Sequence, residues 1–370
     1  MNRKSLRRAG WTIGLAAVLT VTGALSGCGS REETRLEQRY RAAPEHKVII
    51  DSDAGADDAA ALILAAGSEQ LDILGVTVLA GNVDLEQGAR NVLAALEQAG
   101  SDAPVYKGAA ENYNGERIKT FSVFGSDGMG DAGLIDPKRS AEEQDAVAFI
   151  LETVRRYPGE VELVALGPAT NIARAIEEDP DAMRQVKRIW SMGTPGLGPG
   201  NASPVAEFNV YSDPAAYRVM LDSGIDITIA GFDMCGGESA WTSETFERLE
   251  KTNDTGRFVA QSFGKLREFY AAQRGTVAPG GATNVCDPLV LMCMLHPEFV
   301  NKTVRCHGSC LTDPGETFGQ VIFYQEGYTY DAFFDTDFDY NVTLVTDVNR
   351  SDYSALYLAA IRSFIPDKND

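Results

Sequence analysis

From His46 onward, apolar runs of strand length alternate with amphipathic runs of helix length, and this alternation is the strongest constraint on what the chain can fold into. A strand, a crossing helix and a second strand close as a parallel pair, so repeated alternation predicts a mostly parallel sheet flanked by helices. Strand candidates are "KVIID", "LDILGVTVLA", "EVELVAL", "VKRIWSM" and "DITIAGFD". Between them the helical spacing of apolar residues predicts helices over 57–66, 85–98, 142–156, 169–178 and 214–221. Farther on, "KTVRCHGSCLTD", "QVIFYQ" and "NVTLVTDVN" read as further strands, of the kind that return antiparallel, and a last helix over 351–364 closes the domain. The expected class is therefore α/β, with one large domain, a Rossmann-like sheet and some antiparallel strands toward the C-terminus. In such sheets ligands bind beyond the carboxyl ends of the parallel strands. The polar motifs collect there: Asp51 to Asp58 after the first strand, then Gly81-Asn82, Gly167, Gly193 and Asp233.

Residues 1–27 stand apart from that pattern. "MNRKSLRRAG" is a cationic leader and "WTIGLAAVLTVTGA" an apolar run of signal-peptide length. The run ends in Leu25-Ser26-Gly27-Cys28, which resembles the lipobox of bacterial lipoproteins, so Cys28 is expected to be lipidated and to become the new N-terminus. Acyl chains contribute about 0.8 kcal/mol per buried methylene, enough for two or three of them to hold a protein at a membrane surface. The expected location is exported and lipid-anchored, on the extracytoplasmic face of a bacterial membrane. Residues 28–45 are polar and charged, which suits a flexible tether, and 46–370 form the folded domain.

Removal of the leader takes away four of 33 basic side chains and none of 53 acidic ones, leaving a formal charge near −24. That balance argues against nucleic-acid binding, whose affinity comes from cationic contacts to phosphate. It suits a small neutral or cationic ligand and a need for cations. Besides Cys28 there are Cys235, Cys286, Cys293, Cys306 and Cys310, an odd number, so at least one is free or pairs between chains. If "RCHGSC" is a strand, Cys306 and Cys310 lie too far apart to bond, and no second ligand pair supports a zinc site there.

The densest chemical signal is "HKVIIDSDAGADDAAALILAAG", which places Asp51, Asp53, Asp57 and Asp58 within eight residues between a β-branched run and an alanine-rich helix. Like charges this close repel unless a cation or protons offset them. Carboxylate oxygens with few histidines suit calcium or magnesium rather than zinc or copper. An EF-hand loop starting at Asp51 fails, because its twelfth position is Leu62. A haloacid-dehalogenase type phosphatase explains Asp51-Ser52-Asp53 and leaves Asp57 and Asp58 without a role. Helix capping accounts for one or two of the four acids.

The run Asp51-Ser52-Asp53-Ala54-Gly55-Ala56-Asp57-Asp58 resembles the Asp-x-Asp-Pro-Gly-x-Asp-Asp signature of inosine-uridine nucleoside hydrolases, with alanine in place of proline. The resemblance continues through "VTVLAGNVDLEQGARN", "DGMGD", "LVALGPATNIARA", "GNASPVAEFNVYSDPAA" and "NVCDP", nearly the whole domain. It implies a calcium ion held by Asp53, Asp58, Asp287 and the carbonyl of Leu166, with Asp53 as general base on a metal-bound water. It further implies that Asp57, Asn82, Asn201, Glu207, Asn209 and Asp287 hold the ribose and that Met192 lines the pocket. The partner so implied is a ribonucleoside, cleaved to free base and ribose, and a homo-oligomer is expected by the same analogy.

The pattern departs at the leaving group. Cys286 stands where the best-known members have a histidine, and Phe124 stands where some have another. Cys286 has three readings: a weak proton donor, a small pocket-lining residue, or a disulfide partner of Cys235 on a neighbouring strand end. Tyr270 or Arg274, in the glycine-rich "LREFYAAQRGTVAPGGATN", are other candidates for activating the base; the segment reads as a lid or as a surface helix and loop. The missing histidine keeps a second class open, a nucleoside-binding lipoprotein that does not cleave its ligand.

Overall fold

The computed structural model describes residues 45–118, 120, 122–273, 282–329 and 338–363. The leader, the tether with Cys28, and Arg274 lie outside these residues. Among the described residues, no helix is long and apolar enough to cross a membrane.

The strands are β1 (His46–Ser52), β2 (Leu71–Val78), β3 (Val105–Lys107), β4 (Val161–Ala165), β5 (Arg188–Met192), β6 (Ile227–Ala230), β7 (Val300–Cys310), β8 (Val321–Gln325) and β9 (Val342–Val348). They form one sheet in the order β3-β2-β1-β4-β5-β6-β9-β7-β8. From β1 the chain winds outward through β2 and β3, then returns to place β4, β5 and β6 on the other side. The reversal falls between β1 and β4, so the crevice of the fold opens where β1 ends. Every pairing from β3 to β9 is parallel, and β7 alone runs against the rest, pairing antiparallel with β9 on one side and with β8 on the other. "NVTLVTDVN" thus pairs parallel with β6 on one side and, as expected of this region, antiparallel with β7 on the other.

Because β1 is flanked on both sides and covered on both faces, its run reads as continuously apolar. Val48 and Ile50 face one core with helices Ala56–Ala66, Asp287–Leu295 and Tyr353–Ser363, while Ile49 faces the other, with helices Ala146–Arg156, Thr170–Glu178 and Pro214–Leu221. The helix expected over 142–156 starts later than its sequence pattern, at Ala146, because the Asp145 carboxylate accepts from the Val147 and Ala148 N–H groups and caps it there. Helix Asp287–Leu295 gave no periodic signal, since every one of its residues is buried and it has no polar face. Strand β3 has three residues, too few to show alternation.

At the amino end of the sheet, three donors from neighbouring strands converge on Glu162, which is 2% exposed. His46 Nδ1 and Lys187 Nζ meet Oε1 at 2.7 and 2.8 Å, and Trp190 Nε1 donates to Oε2 at 2.7 Å. Burial pushes this carboxyl up, but the three hydrogen bonds outweigh it and hold the group at about 2, below its ordinary 4.5. A depressed carboxyl contributes stability that is present above its unfolded value and lost as pH falls through the folded one. Glu162→Gln is therefore expected to cost roughly 1.5–3 kcal/mol at neutral pH and to remove the part of acid destabilisation lying between about pH 4.5 and 2. Parallel acid-unfolding curves for the two proteins would refute this.

Candidate active site

The loop after β1 sorts its four aspartates into two groups. Asp51, still in the strand, points its Oδ1 at Thr77 Oγ1 (2.6 Å) and Asn171 Nδ2 (2.8 Å). It ties β1 to β2 and to helix Thr170–Glu178, and burial against those hydrogen bonds raises it to about 7. It belongs to the scaffold. Asp58 both caps and joins the cluster: its carboxylate accepts from Ser52 Oγ at 2.7 Å and from the Gly55 N–H at 2.8 Å, closing the first turn of helix Ala56–Ala66.

Asp287 arrives from the far end of the chain as the first residue of helix Asp287–Leu295. One carboxylate oxygen each from Asp57, Asp58 and Asp287 lies within 4.8 Å of the others. Asp53 lies beside them, in carboxyl contact with Asp58. Its Oδ2 accepts from the Asn82 N–H at 2.8 Å and its Oδ1 from Asn82 Nδ2 at 3.0 Å. Two glycines make room for it. A Cβ on Gly81 would stand 2.0 Å from Asp53 Oδ2, and one on Gly167 would stand 2.8 Å from Asp53 Cβ.

Burial and then mutual repulsion raise these carboxyls: Asp57 to about 8, Asp53 and Asp287 well above the usual range. Asp57 Oδ1 is buried with no hydrogen-bond partner. Buried, crowded, under-partnered carboxylate oxygens are what a hard divalent cation satisfies, so the residues present fit an oxygen-ligated metal. The Leu166 carbonyl accepts from Asn209 Nδ2 at 2.7 Å, which leaves it one lone pair for a further partner.

Above the cluster opens a cavity of about 300 Å³. Nine of the residues expected at the site line it: Asp57, Asn82, Leu166, Met192, Asn201, Glu207, Asn209, Cys286 and Asp287, with Asp53 and Asp58 beneath. Glu207 caps helix Phe208–Ser212 by accepting from the Asn209 N–H at 2.9 Å, and burial raises its carboxyl to about 7. Asn201 Oδ1 accepts from the Phe208 N–H at 2.8 Å. Phe124, Phe232, Leu266, Phe269 and Tyr270 add apolar and aromatic surface to the lining. Sequence reasoning passed over Phe232, Phe269 and Asn284. Asn284 stands next to the "NVCDP" motif's valine, is 5% exposed, and leaves its Oδ1 without a hydrogen-bond partner at the cavity wall.

Cys286 is bonded to Cys235, with Cα atoms 5.2 Å apart. Of its three readings the disulfide is the one realised, and in that form Cys286 has no thiol proton, which corrects its assignment as a catalytic acid. Cys293, Cys306 and Cys310 are free and buried, and Cys306 and Cys310 share one strand as expected. Ala54, at the signature's proline position, has φ 63°, which proline cannot adopt. The substitution thus goes with a left-handed turn directly after Asp53.

Comparison with known proteins agrees with this geometry. A model of the inosine-uridine preferring nucleoside hydrolase family matches residues 48–355. The chain belongs to that family. It is 42% identical over 191 residues to uridine nucleosidase 1 of Arabidopsis thaliana, a match spanning 51% of this chain and 56% of that protein. It is 33% identical over 311 residues to the pyrimidine-specific ribonucleoside hydrolase RihA of Citrobacter koseri, covering 83% of this chain and 95% of that one. Among solved structures, a plant nucleoside hydrolase superposes with a TM-score of 0.77 at 28% identity, over 87% of this chain and all of the other.

Proposed function

We propose that this nucleoside hydrolase cleaves the N-glycosidic bond of ribonucleosides with calcium bound at Asp53, Asp58, Asp287 and the Leu166 carbonyl. The observation that carries the reading is a buried carboxylate cluster flooring a cavity whose lining offers both polar and aromatic side chains. A ribose has hydroxyls for the first and a nucleobase has a flat apolar face for the second. Calcium, when bound, would polarise the attacking water and two ribose hydroxyls.

Asp53 accepts the proton of that water, its carboxylate oriented by the two hydrogen bonds from Asn82. Asp57 and Asn82 hold ribose hydroxyls, and Asn201, Glu207 and Asn209 hold the rest of the sugar above Met192. As the bond to the base breaks, positive charge grows on the sugar and the surrounding carboxylates stabilise it. Tyr270 lines the cavity, 6% exposed, and burial keeps its phenol protonated, which supports it as the donor to the departing base. The same reading gives the enzyme a lipid anchor at Cys28 on the outer side of a membrane, supported by the leader and lipobox alone; Cys28→Ser is expected to move it to the soluble fraction.

The deciding assay is chromatography for free base from inosine, guanosine, adenosine, uridine and cytidine, each with calcium and with a chelator. Release from at least one nucleoside, lost by 100-fold or more on chelation and restored by calcium, is the expected result. Calcium-dependent nucleoside binding without release would instead establish a receptor.

A further inference from the structure

We propose that the Cys235–Cys286 disulfide is a positioning device for Asp287, so that the oxidised protein holds a divalent cation more tightly than the reduced one. This rests on the metal-site reading above and adds two residues to it. Cys286 immediately precedes Asp287, and its backbone lies close enough to Asp57 to offset part of the upward shift that burial and repulsion impose on that carboxyl. Two of the cluster's acids therefore depend on where the Cys286 backbone sits.

The other end of the bond is fixed independently. Cys235 follows the short turn Phe232–Met234 beyond β6, and Phe232 lines the cavity. Arg350 Nη1 donates to the carbonyls of Asp233, Met234 and Gly236 at 2.8, 3.2 and 3.0 Å, clamping that turn. On the Cys286 side, Trp241 and Thr283 exchange backbone hydrogen bonds at 2.8 and 2.9 Å, and Tyr353 Oη donates to the Val285 carbonyl at 3.0 Å. These hold residues 283 and 285. No side-chain hydrogen bond caps the helix at Cys286, so the disulfide is its tie to the clamped turn.

Reduction by a dithiol breaks the S–S bond, adds two electrons and two protons to give two thiols, and turns the dithiol into a disulfide. Bonded sulfurs sit about 2.05 Å apart, whereas non-bonded heavy atoms need about 3.5–4 Å. Cys235 and Cys286 are 1% and 7% exposed; Cys235 is packed in the interior, while Cys286 borders the cavity, the side on which there is room to move. With the Cys235 turn held by Arg350, the separation falls on Cys286, and so on Asp287 and Asp57.

A disulfide also stabilises a fold by restricting the unfolded chain, so a lower melting temperature alone says nothing for this proposal. The test is calcium titration by calorimetry, below the lowest melting temperature, on the purified full chain: oxidised, treated with dithiothreitol, and as Cys235→Ala. The expected result is a Kd for calcium at least tenfold weaker in both altered proteins, with kcat restored at saturating calcium. Cys293→Ala, on the same helix but outside the bond, keeps the tight Kd when oxidised. Wild-type Kd in the folded reduced protein overturns the proposal and leaves the metal site standing. No calcium binding by the oxidised wild type overturns the metal site itself, and the proposal with it. Should Cys235→Ala fail to fold, the reduced wild-type chain decides between these outcomes.

Discussion

Asp53→Asn is expected to lower kcat/KM for the best nucleoside by about 10³-fold or more, while the calcium-free protein melts no lower than wild type. General-base catalysis contributes roughly 10²–10⁴-fold, and the substitution also removes an anionic ligand. The stability half of the result follows from the site's electrostatics. Asp53 is 1% exposed beside Asp58 and Asp57, and burial and repulsion both disfavour its charge. Asparagine keeps an acceptor for the Asn82 N–H, gives up the bond from Asn82 Nδ2, and removes the charge, whose loss outweighs that one bond. Calcium restores the usual order: at 100 times its Kd, a cation bound only by the folded state stabilises it by about 2.7 kcal/mol, which the variant loses in part. Steady-state kinetics and melting curves with and without calcium measure both halves. Activity within tenfold of wild type would assign the base to another group.

Gly81→Ala is expected to disable the site from behind. The new Cβ would lie 2.0 Å from Asp53 Oδ2 and 2.5 Å from its Cβ, distances no packed atoms sustain. Relief requires Asp53 to swing away from Asn82, or the backbone after β2 to withdraw. Overpacking of this kind costs about 1–3 kcal/mol, and a misplacement of about 1 Å in a catalytic group costs on the order of 10²-fold in rate. The change adds a single methyl group outside the substrate's reach, so its signature is a drop in kcat and calcium affinity greater than any rise in KM. Wild-type kcat in a folded Gly81→Ala protein would show that Asp53 is not held where the two glycines place it.

A cluster of like charges is stable only in a scaffold that fixes it from several directions. Here the clustered acids come from the β1 loop and from a helix start far along the chain, their neighbours from the ends of β2 and β4. Asp51 shows how finely the loop discriminates: two residues from Asp53, it is spent on Thr77 and Asn171 and takes no part in the cavity.

Much of this was legible in the sequence. Five parallel strands and helices Leu85–Gln98 and Pro214–Leu221 follow from periodicity, because a strand or helix faces its core with a fixed repeat, while the residues of the cavity floor are implied by the resemblance of the motifs to a known family. The buried helix Asp287–Leu295 and the short β3 did not, since one lacks a polar face and the other lacks length.

The sequence by itself therefore determined the class of fold, the acidic chemistry and the rim where it gathers, all of which depend on local pattern. The tertiary structure alone decided which aspartates meet, that Cys286 is bonded to Cys235, and that Phe232 and Phe269 line the cavity. Those outcomes depend on the order of strands in the sheet and on which loops that order brings together, and no repeat within a segment encodes the position of another segment.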